Sequence, residues 1–190
     1  MAFALAQAAH SRGAKVHLIS GPVNLSPGMI NTTFIRSAQD MHDTVMANIS
    51  QQDIFIGAAA VGDFRSEHVN QHKIKKQDDL LQLNLTQNPD IIHDVASLSD
   101  NKSQKLFVVG FAAETTNLAA YAQNKLKKKN IDMIAANLVG EKDSGFESDI
   151  NTLEIFVKNN KGQSLKTIGP HNKQELAHKL LDAILHTRTN

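Results

Sequence analysis

Small residues and then an acidic residue follow an apolar stretch near the middle of the chain. The stretch 54–56 leads into Gly57, Ala58 and Ala59, and Asp63 comes shortly after them. In an open α/β sheet, residues just beyond the carboxyl end of a strand face the ligand crevice. Small side chains let a ligand approach backbone groups there, and a carboxylate can hold Mg²⁺ that bridges to phosphate oxygens. The same pattern also fits close packing of the sheet beside a solvated aspartate.

A lysine cluster lies a few residues further along the chain. Lys73, Lys75 and Lys76 belong to a polar stretch, 66–79, which has no clear hydrophobic period and predicts a long loop. Such loops often cover an active site, and lysines on them suit phosphate groups. The alternative is a solvated run of charge that nearby aspartates balance.

Two further lysines and one aromatic residue could complete an anion site. Lys125 and Lys129 are four residues apart on a predicted helix, so they share one face, whereas Lys127 points away. Lysines in a last helical turn also complement the helix dipole, which explains the pair without a ligand. Phe111 lies in a predicted buried strand, where it could stack on a base or belong to the core.

Strands and helices alternate along the sequence, which is typical of an α/β protein with a mostly parallel sheet between two layers of helices. Strands are predicted at 16–19, 33–35, 54–60, 106–112 and 131–135, followed by a hairpin of 153–157 and 164–168. Helices are predicted at 2–9, 37–48, 90–98, 115–129 and after Asn172, with caps at Ser37, Asn88, Thr115 or Thr116, and Asn172. A helix therefore precedes the first strand, and we expect the strand that usually opens such a fold to be missing.

Composition limits the classes of function. The chain has 190 residues, enough for one domain, and its lack of cysteine excludes disulfides, thiolate metal sites and cysteine nucleophiles. Its 20 basic and 19 acidic side chains nearly cancel, so we expect no nucleic-acid partner. No apolar run is long enough to span a membrane, and residues 1–9 lack the basic start of a signal peptide. We therefore expect a cytoplasmic protein without a membrane partner.

Six segments together resemble one family in order and spacing, namely 20–23, 53–65, 73–76, 88–91, 110–115 and 145–151. The family is phosphopantothenoylcysteine synthetase, in the bacterial form that is usually fused behind a flavin-dependent decarboxylase domain. The resemblance implies a single Rossmann-like domain over 1–190. It also implies a ligase that uses CTP and Mg²⁺ to turn the carboxylate of 4′-phosphopantothenate into an acyl-cytidylate, which L-cysteine then attacks. A homodimer is implied too, and the hairpin at 153–168 is our candidate for its contact.

The resemblance also implies a set of site residues. Gly57, Ala58 and Ala59 would present backbone groups to the nucleotide, and Asp63 would contact the nucleotide or its metal ion. Lys73 would reach the phosphates and assist catalysis. The other implied nucleotide contacts are Pro89, Asp90, Ile91, Ile92, Phe111, Lys125 and Lys129.

The sequence departs from the family pattern at its beginning. In the family, a strand, a glycine-rich loop and an asparagine associated with conversion of the acyl-cytidylate precede the position of Met1, and this sequence does not contain them. We therefore expect a ligase fragment with impaired catalysis. Two other functions stay open, a Rossmann-like nicotinamide or flavin reductase and a non-catalytic remnant that docks on a flavoprotein.

Overall fold

The protein is described by a computed structural model over residues 1–69, 72–73, 82–99, 106–114, 117–138, 150–158 and 164–189. Its helices are α1 (Ala2–Ser11), α2 (Ala38–Asn48), α3 (Ile91–Ser99), α4 (Leu118–Lys129) and α5 (Lys173–Thr189). Its strands are β1 (His17–Ser20), β2 (Asn31–Phe34), β3 (Ile54–Gly57), β4 (Phe64–Ser66), β5 (Leu85–Gln87), β6 (Phe107–Glu114), β7 (Met133–Leu138), β8 (Ile150–Val157) and β9 (Lys166–Asn172). Within these residues, no helix combines the length and the apolar character needed to cross a bilayer.

Five strands form the main sheet, in the spatial order β3, β6, β7, β8, β9. The first three are mutually parallel, and β8 and β9 continue the sheet in antiparallel pairing. β1 and β2 form a separate parallel pair, and β4 and β5 form a short antiparallel ribbon. The expected α/β class and the C-terminal hairpin are confirmed, and the sheet is mixed because its last two strands are antiparallel.

Helices cover both faces of the main sheet. On one face, α1 and α5 bury Leu5 and Leu180 against side chains that include Val109 of β6. On the other face, α2, α3 and α4 form a second cluster, in which Val95 meets Val108 of β6. Neighbouring residues of β6 therefore serve opposite faces, as the two-residue period of a strand requires. The three-layer arrangement follows from this alternation.

Two predicted helix caps are present. The backbone N–H of Asp40 donates to Oγ of Ser37 at 3.0 Å, and the backbone N–H of Ser37 donates to Oδ2 of Asp40 at 3.0 Å, which completes a capping box for α2. Hydrogen bonding with the side chain and then the backbone of Ser37 lowers the pKa of the Asp40 carboxyl. At α5, the backbone N–H of Glu175 donates to Oδ1 of Asn172 at 2.9 Å.

The start of α3 differs from its prediction. Asp90, rather than Asn88, precedes the first helical turn, and its Oδ1 accepts a hydrogen bond from the backbone N–H of His93 at 3.3 Å. Pro89 consequently lies before the helix instead of at its first position. Asparagine and aspartate are equally good caps, so the sequence could not choose between two candidates two residues apart.

Two other boundaries also differ. The strand predicted to reach residue 60 ends at Gly57, because only 54–57 pair with β6. Helix α4 follows Asn117, which has a φ of 51° and makes no side-chain capping bond. The predicted caps of this helix, Thr115 and Thr116, lie outside the described residues.

The ribbon of β4 and β5 was missed by the sequence reading. Ser66, predicted to open a long loop, instead ends β4 and pairs with Leu85 of β5. Each strand has only three residues, too few for a visible two-residue period. Of the lysines predicted on the intervening loop, only Lys73 is among the described residues.

Candidate functional site

Two glycines let helix α3 lie close to the main sheet. Gly57 at the end of β3 pairs with Gly110 of β6, and both lie beside Ile92 of α3. A Cβ added to Gly57 would lie 3.2 Å from Cδ1 of Ile92. One added to Gly110 would lie 3.0 Å from the same atom and 2.8 Å from Cδ1 of Ile131. Both distances to Ile92 are shorter than ordinary van der Waals contact, so Gly57 has a packing role whatever it binds.

The chain emerges from the sheet directly after Gly57. Ala58 is half-buried, Ala59 is exposed, and the exposed Asp63 follows just before β4. Within the described ranges, the Asp63 carboxylate takes part in no hydrogen bond or ion pair. It is therefore available as an oxygen ligand at the carboxyl end of β3.

Asn88 fastens this segment to the one that leads into α3. Its backbone N–H donates to the carbonyl of Asp63 at 2.8 Å, and its Nδ2 donates to the carbonyl of Gly62 at 2.8 Å. Its Oδ1 accepts from Nη1 of Arg65 at 3.2 Å, and the same Nη1 donates to the carbonyl of Gln87 at 2.6 Å. Residues 62–65 and 87–88, which are far apart in the sequence, are thus hydrogen-bonded to each other.

Asp90 and Lys129, both predicted nucleotide contacts, lie together. Nζ of Lys129 is 3.2 Å from Oδ1 of Asp90, with side chains that are 32% and 46% exposed. An ion pair this open to solvent contributes only about 0–1 kcal/mol to stability. The pair shows that the last turn of α4 lies next to the start of α3. Ile91, the first residue of α3, is buried.

The remaining candidates are placed apart from this pair. Lys125 is half-buried on the Lys129 face of α4 and Lys127 is exposed, in agreement with the predicted helix face. Phe111 is partly buried against the cluster that α1 and α5 form, on the sheet face opposite Ile92. Lys73 is exposed, and within the described residues it forms no hydrogen bond or ion pair with the other candidates. The buried part of Phe111 thus belongs to the core, as one of the two interpretations predicted, and the rest of its side chain is exposed.

The donor groups present fit a magnesium ion that is shared with phosphate. Among the described residues, no group of three or more metal-ligating side chains could enclose a metal ion. Mg²⁺ in nucleotide sites is held by one or two carboxylates together with substrate phosphates and water, so it needs no such cage. The unpaired carboxylate of Asp63 suits that arrangement, whereas Asp90 already accepts from Lys129.

Sequence reasoning missed three polar residues near the carboxyl ends of the strands. Asn88 was interpreted as a helix cap and as part of a family segment, and Arg65 only as part of such a segment. Their contacts depend on the pairing between β4 and β5. Asn137 lies near the end of β7, where its Nδ2 donates to Oδ1 of Asn151 at 3.1 Å. A polar residue at the end of an apolar strand was the available signal for Asn137.

Comparison with known proteins identifies a matching family. The family model for the DNA/pantothenate metabolism flavoprotein C-terminal domain matches residues 1–187. The coenzyme A biosynthesis bifunctional protein CoaBC of Haemophilus influenzae is 46% identical over 190 residues. CoaBC of Escherichia coli K12 is 43% identical over 189 residues. Each comparison covers 97% of this chain, but only 44% and 45% of the respective relative. The chain therefore spans less than half the length of the curated relatives that it matches.

A solved structure has the same fold. The crystal structure of the C-terminal domain of a coenzyme A biosynthesis bifunctional protein CoaBC superposes with a TM-score of 0.78 at 29% sequence identity. The alignment covers 98% of this chain and 83% of that one. Nearly every residue of the chain thus has a counterpart in that C-terminal domain.

Proposed function

Since this chain belongs to the family of DNA/pantothenate metabolism flavoprotein C-terminal domains, we propose that it carries the ligase site that joins 4′-phosphopantothenate to L-cysteine. CTP is the proposed activating nucleotide, and Mg²⁺ the proposed accompanying ion. The observation that carries the proposal is the hydrogen-bonded unit of 62–65 and 87–90, which holds two implied nucleotide-site segments side by side. A cytoplasmic location and coenzyme A biosynthesis are part of the proposal.

The proposed reaction has two steps with a balanced exchange of groups. An oxygen of the phosphopantothenate carboxylate forms a bond to the α-phosphorus of CTP, the bond from that phosphorus to the bridging oxygen breaks, and pyrophosphate leaves. The amine of cysteine then attacks the acyl carbon, CMP leaves with the bonding electron pair, and the amine loses a proton. Activation is needed because a carboxylate is a poor electrophile until one oxygen becomes a good leaving group.

The residues of this chain would divide the work of binding. The backbone at Gly57, Ala58 and Ala59 would face the nucleotide, while Asp63 would hold the magnesium ion. That ion would offset negative charge on the phosphate oxygens. Lys73 would approach the same phosphates from its exposed segment.

The α3–α4 side of the site would complete the nucleotide contacts. Asp90 and Lys129 form an ion pair beside the first turn of α3, and Lys125 lies on the same face of α4. The N-terminus of α3 carries a positive partial charge, which favours an anion nearby. Phe111 would contribute its exposed part, since the rest of its side chain belongs to the core.

A titration of the chain with CTP and Mg²⁺ tests the proposal, with ATP and NADH as comparison ligands. We expect selective CTP binding, weakened about 10- to 100-fold in Lys73→Gln through loss of a charge-assisted hydrogen bond to phosphate. Lys127→Gln is the matched control, because it removes the same charge from an exposed position on the other side of α4. NADH binding without CTP binding would instead support the reductase.

Homodimerisation and association with a flavin-dependent decarboxylase domain are further parts of the proposal. The predicted contact, the hairpin at 153–168, belongs to the main sheet, where β8 pairs with β7 on one side and β9 on the other. A subunit contact through this hairpin would therefore use the outer edge of β9. Light scattering of the purified chain would measure the assembly, and a monomer at all concentrations would contradict this part.

A further inference from the structure

The hydrogen bonds of Asn88 hold together both carboxylate-bearing segments of the candidate site. The backbone bond to the Asp63 carbonyl continues the ladder of the ribbon by one step. The side chain adds two bonds. Its Nδ2 donates to the Gly62 carbonyl, and its Oδ1 accepts from Nη1 of Arg65. Asn88 thus contacts Gly62 and Arg65 through its side chain and Asp63, between them, through its backbone.

The residues after Asn88 limit the movement of the second carboxylate, that of Asp90. Pro89 has a fixed φ, and Asp90 is bonded through Oδ1 to the backbone N–H of His93 at the start of α3. Lys129 holds the same carboxylate oxygen from α4. Little backbone freedom therefore remains between Asn88 and the helix.

We propose that Asn88 is the positioning residue that sets the place of the Asp63 carboxylate relative to Asp90. The inference rests on the proposed function, because it assigns Asp63 to a magnesium-bound nucleotide. Asn88 does not itself contact the ligand in this scheme. Its side-chain amide is suited to the task because one group donates to the Gly62 carbonyl while the other accepts from the Arg65 guanidinium.

The test compares Asn88→Ala with wild type for CTP affinity at several Mg²⁺ concentrations. The variant keeps the backbone bond to Asp63 but loses both side-chain bonds. We expect CTP to bind about 10- to 100-fold more weakly, as for other residues that orient a metal-binding group. The Mg²⁺ concentration at half-saturation should rise as well. Asn48→Ala is the matched control, since Asn48 is an exposed asparagine whose Nδ2 donates only to the Thr44 carbonyl of its own helix.

A second variant separates the two side-chain bonds and keeps the test valid if Asn88→Ala does not fold. Asn88→Asp preserves the shape and the acceptor for Arg65, but places a carboxylate oxygen against the Gly62 carbonyl. We expect it to lose CTP affinity in the presence of Mg²⁺. Wild-type affinity in a folded Asn88→Asp or Asn88→Ala would overturn the proposal, as would an equal loss with and without Mg²⁺.

Hydrogen exchange distinguishes failure of this proposal from failure of the proposed function. If wild type does not bind CTP, the assignment of the nucleotide site falls. The backbone amide of residue 88, which donates to the Asp63 carbonyl, should still exchange faster in Asn88→Ala than in wild type, because local opening would become easier. Unchanged exchange at this amide would overturn the positioning role independently of any ligand.

Discussion

The sheet core and the candidate site are built from different kinds of contact. Around β8, β9 and α5, side chains such as Ile155, Leu176 and Ile184 are fully buried. Around β4 and β5, the strands have three residues each, and Phe64 and Leu85 are more than half exposed. Burial of apolar surface stabilises the first region, whereas the second depends on hydrogen bonds of Asn88 and Arg65. We therefore expect substitutions in the first region to affect mainly stability and substitutions in the second to affect mainly CTP binding.

Removing a core side chain should have the largest effect and should leave the site unaffected. Leu180 of α5 is fully buried against the main sheet. Leu180→Ala should lower the free energy of unfolding by about 2–5 kcal/mol, through lost transfer energy and a residual cavity. The folded fraction should bind CTP as wild type does. Chemical denaturation and CTP titration measure the two quantities.

A control on the same helix makes this prediction specific. Leu185 is 47% exposed, so Leu185→Ala should change stability by less than about 1 kcal/mol. Equal losses at the two positions would contradict the assignment of the core to this face of α5.

A smaller effect is expected at the capping box of α2, which lies outside both regions. Ser37→Ala should cost about 1 kcal/mol, because it leaves the Asp40 backbone N–H without its acceptor. Ser50→Ala, at another exposed serine, is the control. Thermal unfolding of wild type and both variants measures the effect. Identical unfolding temperatures for Ser37→Ala and Ser50→Ala would contradict the prediction.

The capping box also predicts a pH dependence. Since the folded state lowers the pKa of Asp40, the contribution of this carboxylate is fully present above the unfolded pKa of about 3.9. It should be lost as the pH falls through the folded pKa below that value. The difference in stability between wild type and Asp40→Asn should therefore shrink in strong acid and stay constant from about pH 5 to about pH 8. A difference that persists in strong acid would contradict this assignment.

A substitution at the site itself should change CTP affinity more than it changes stability. In Gly57→Ala, the added methyl lies 3.2 Å from Cδ1 of Ile92 and 3.3 Å from Cε1 of Phe55. Both neighbours are side-chain atoms that can shift slightly, so stability should fall by about 1 kcal/mol, the lower end of the usual cost of overpacking. CTP affinity should fall more than it does in Leu180→Ala, because the shift of Ile92 displaces the start of α3. A larger loss of CTP affinity in Leu180→Ala than in Gly57→Ala would contradict the distinction between the two regions.

Strong local signals made much of the fold predictable. The apolar stripe of Leu176, Leu180 and Ile184 and the capping residue Asn172 predicted α5, and Ser37 with Asp40 predicted α2. Weak or competing signals produced the errors. Asn88 and Asp90 are both good helix caps, and β4 with β5 has too few residues for a recognisable pattern.

The site was predictable as a set of segments, but not as an arrangement. Small residues after β3 and paired lysines on α4 were compatible with ligand binding or with structural roles, and only the family resemblance implied a nucleotide site. The pairing of Asp90 with Lys129 joins residues 39 positions apart in the chain, and local sequence contains no information about such a contact. The role of Phe111 in the core likewise depended on which sheet face its strand presents to α1 and α5.

The α/β class, most helices and strands, the family and the candidate site segments could be predicted from the order of the residues. These features depend on periodicity, capping and residue order, all of which are local or additive along the chain. Only the folded chain showed that Asn88 bonds to Gly62, Asp63 and Arg65 and that Asp90 pairs with Lys129. The physical reason is that a hydrogen bond requires two groups within about 3 Å, and only the folded chain brings distant residues to that separation.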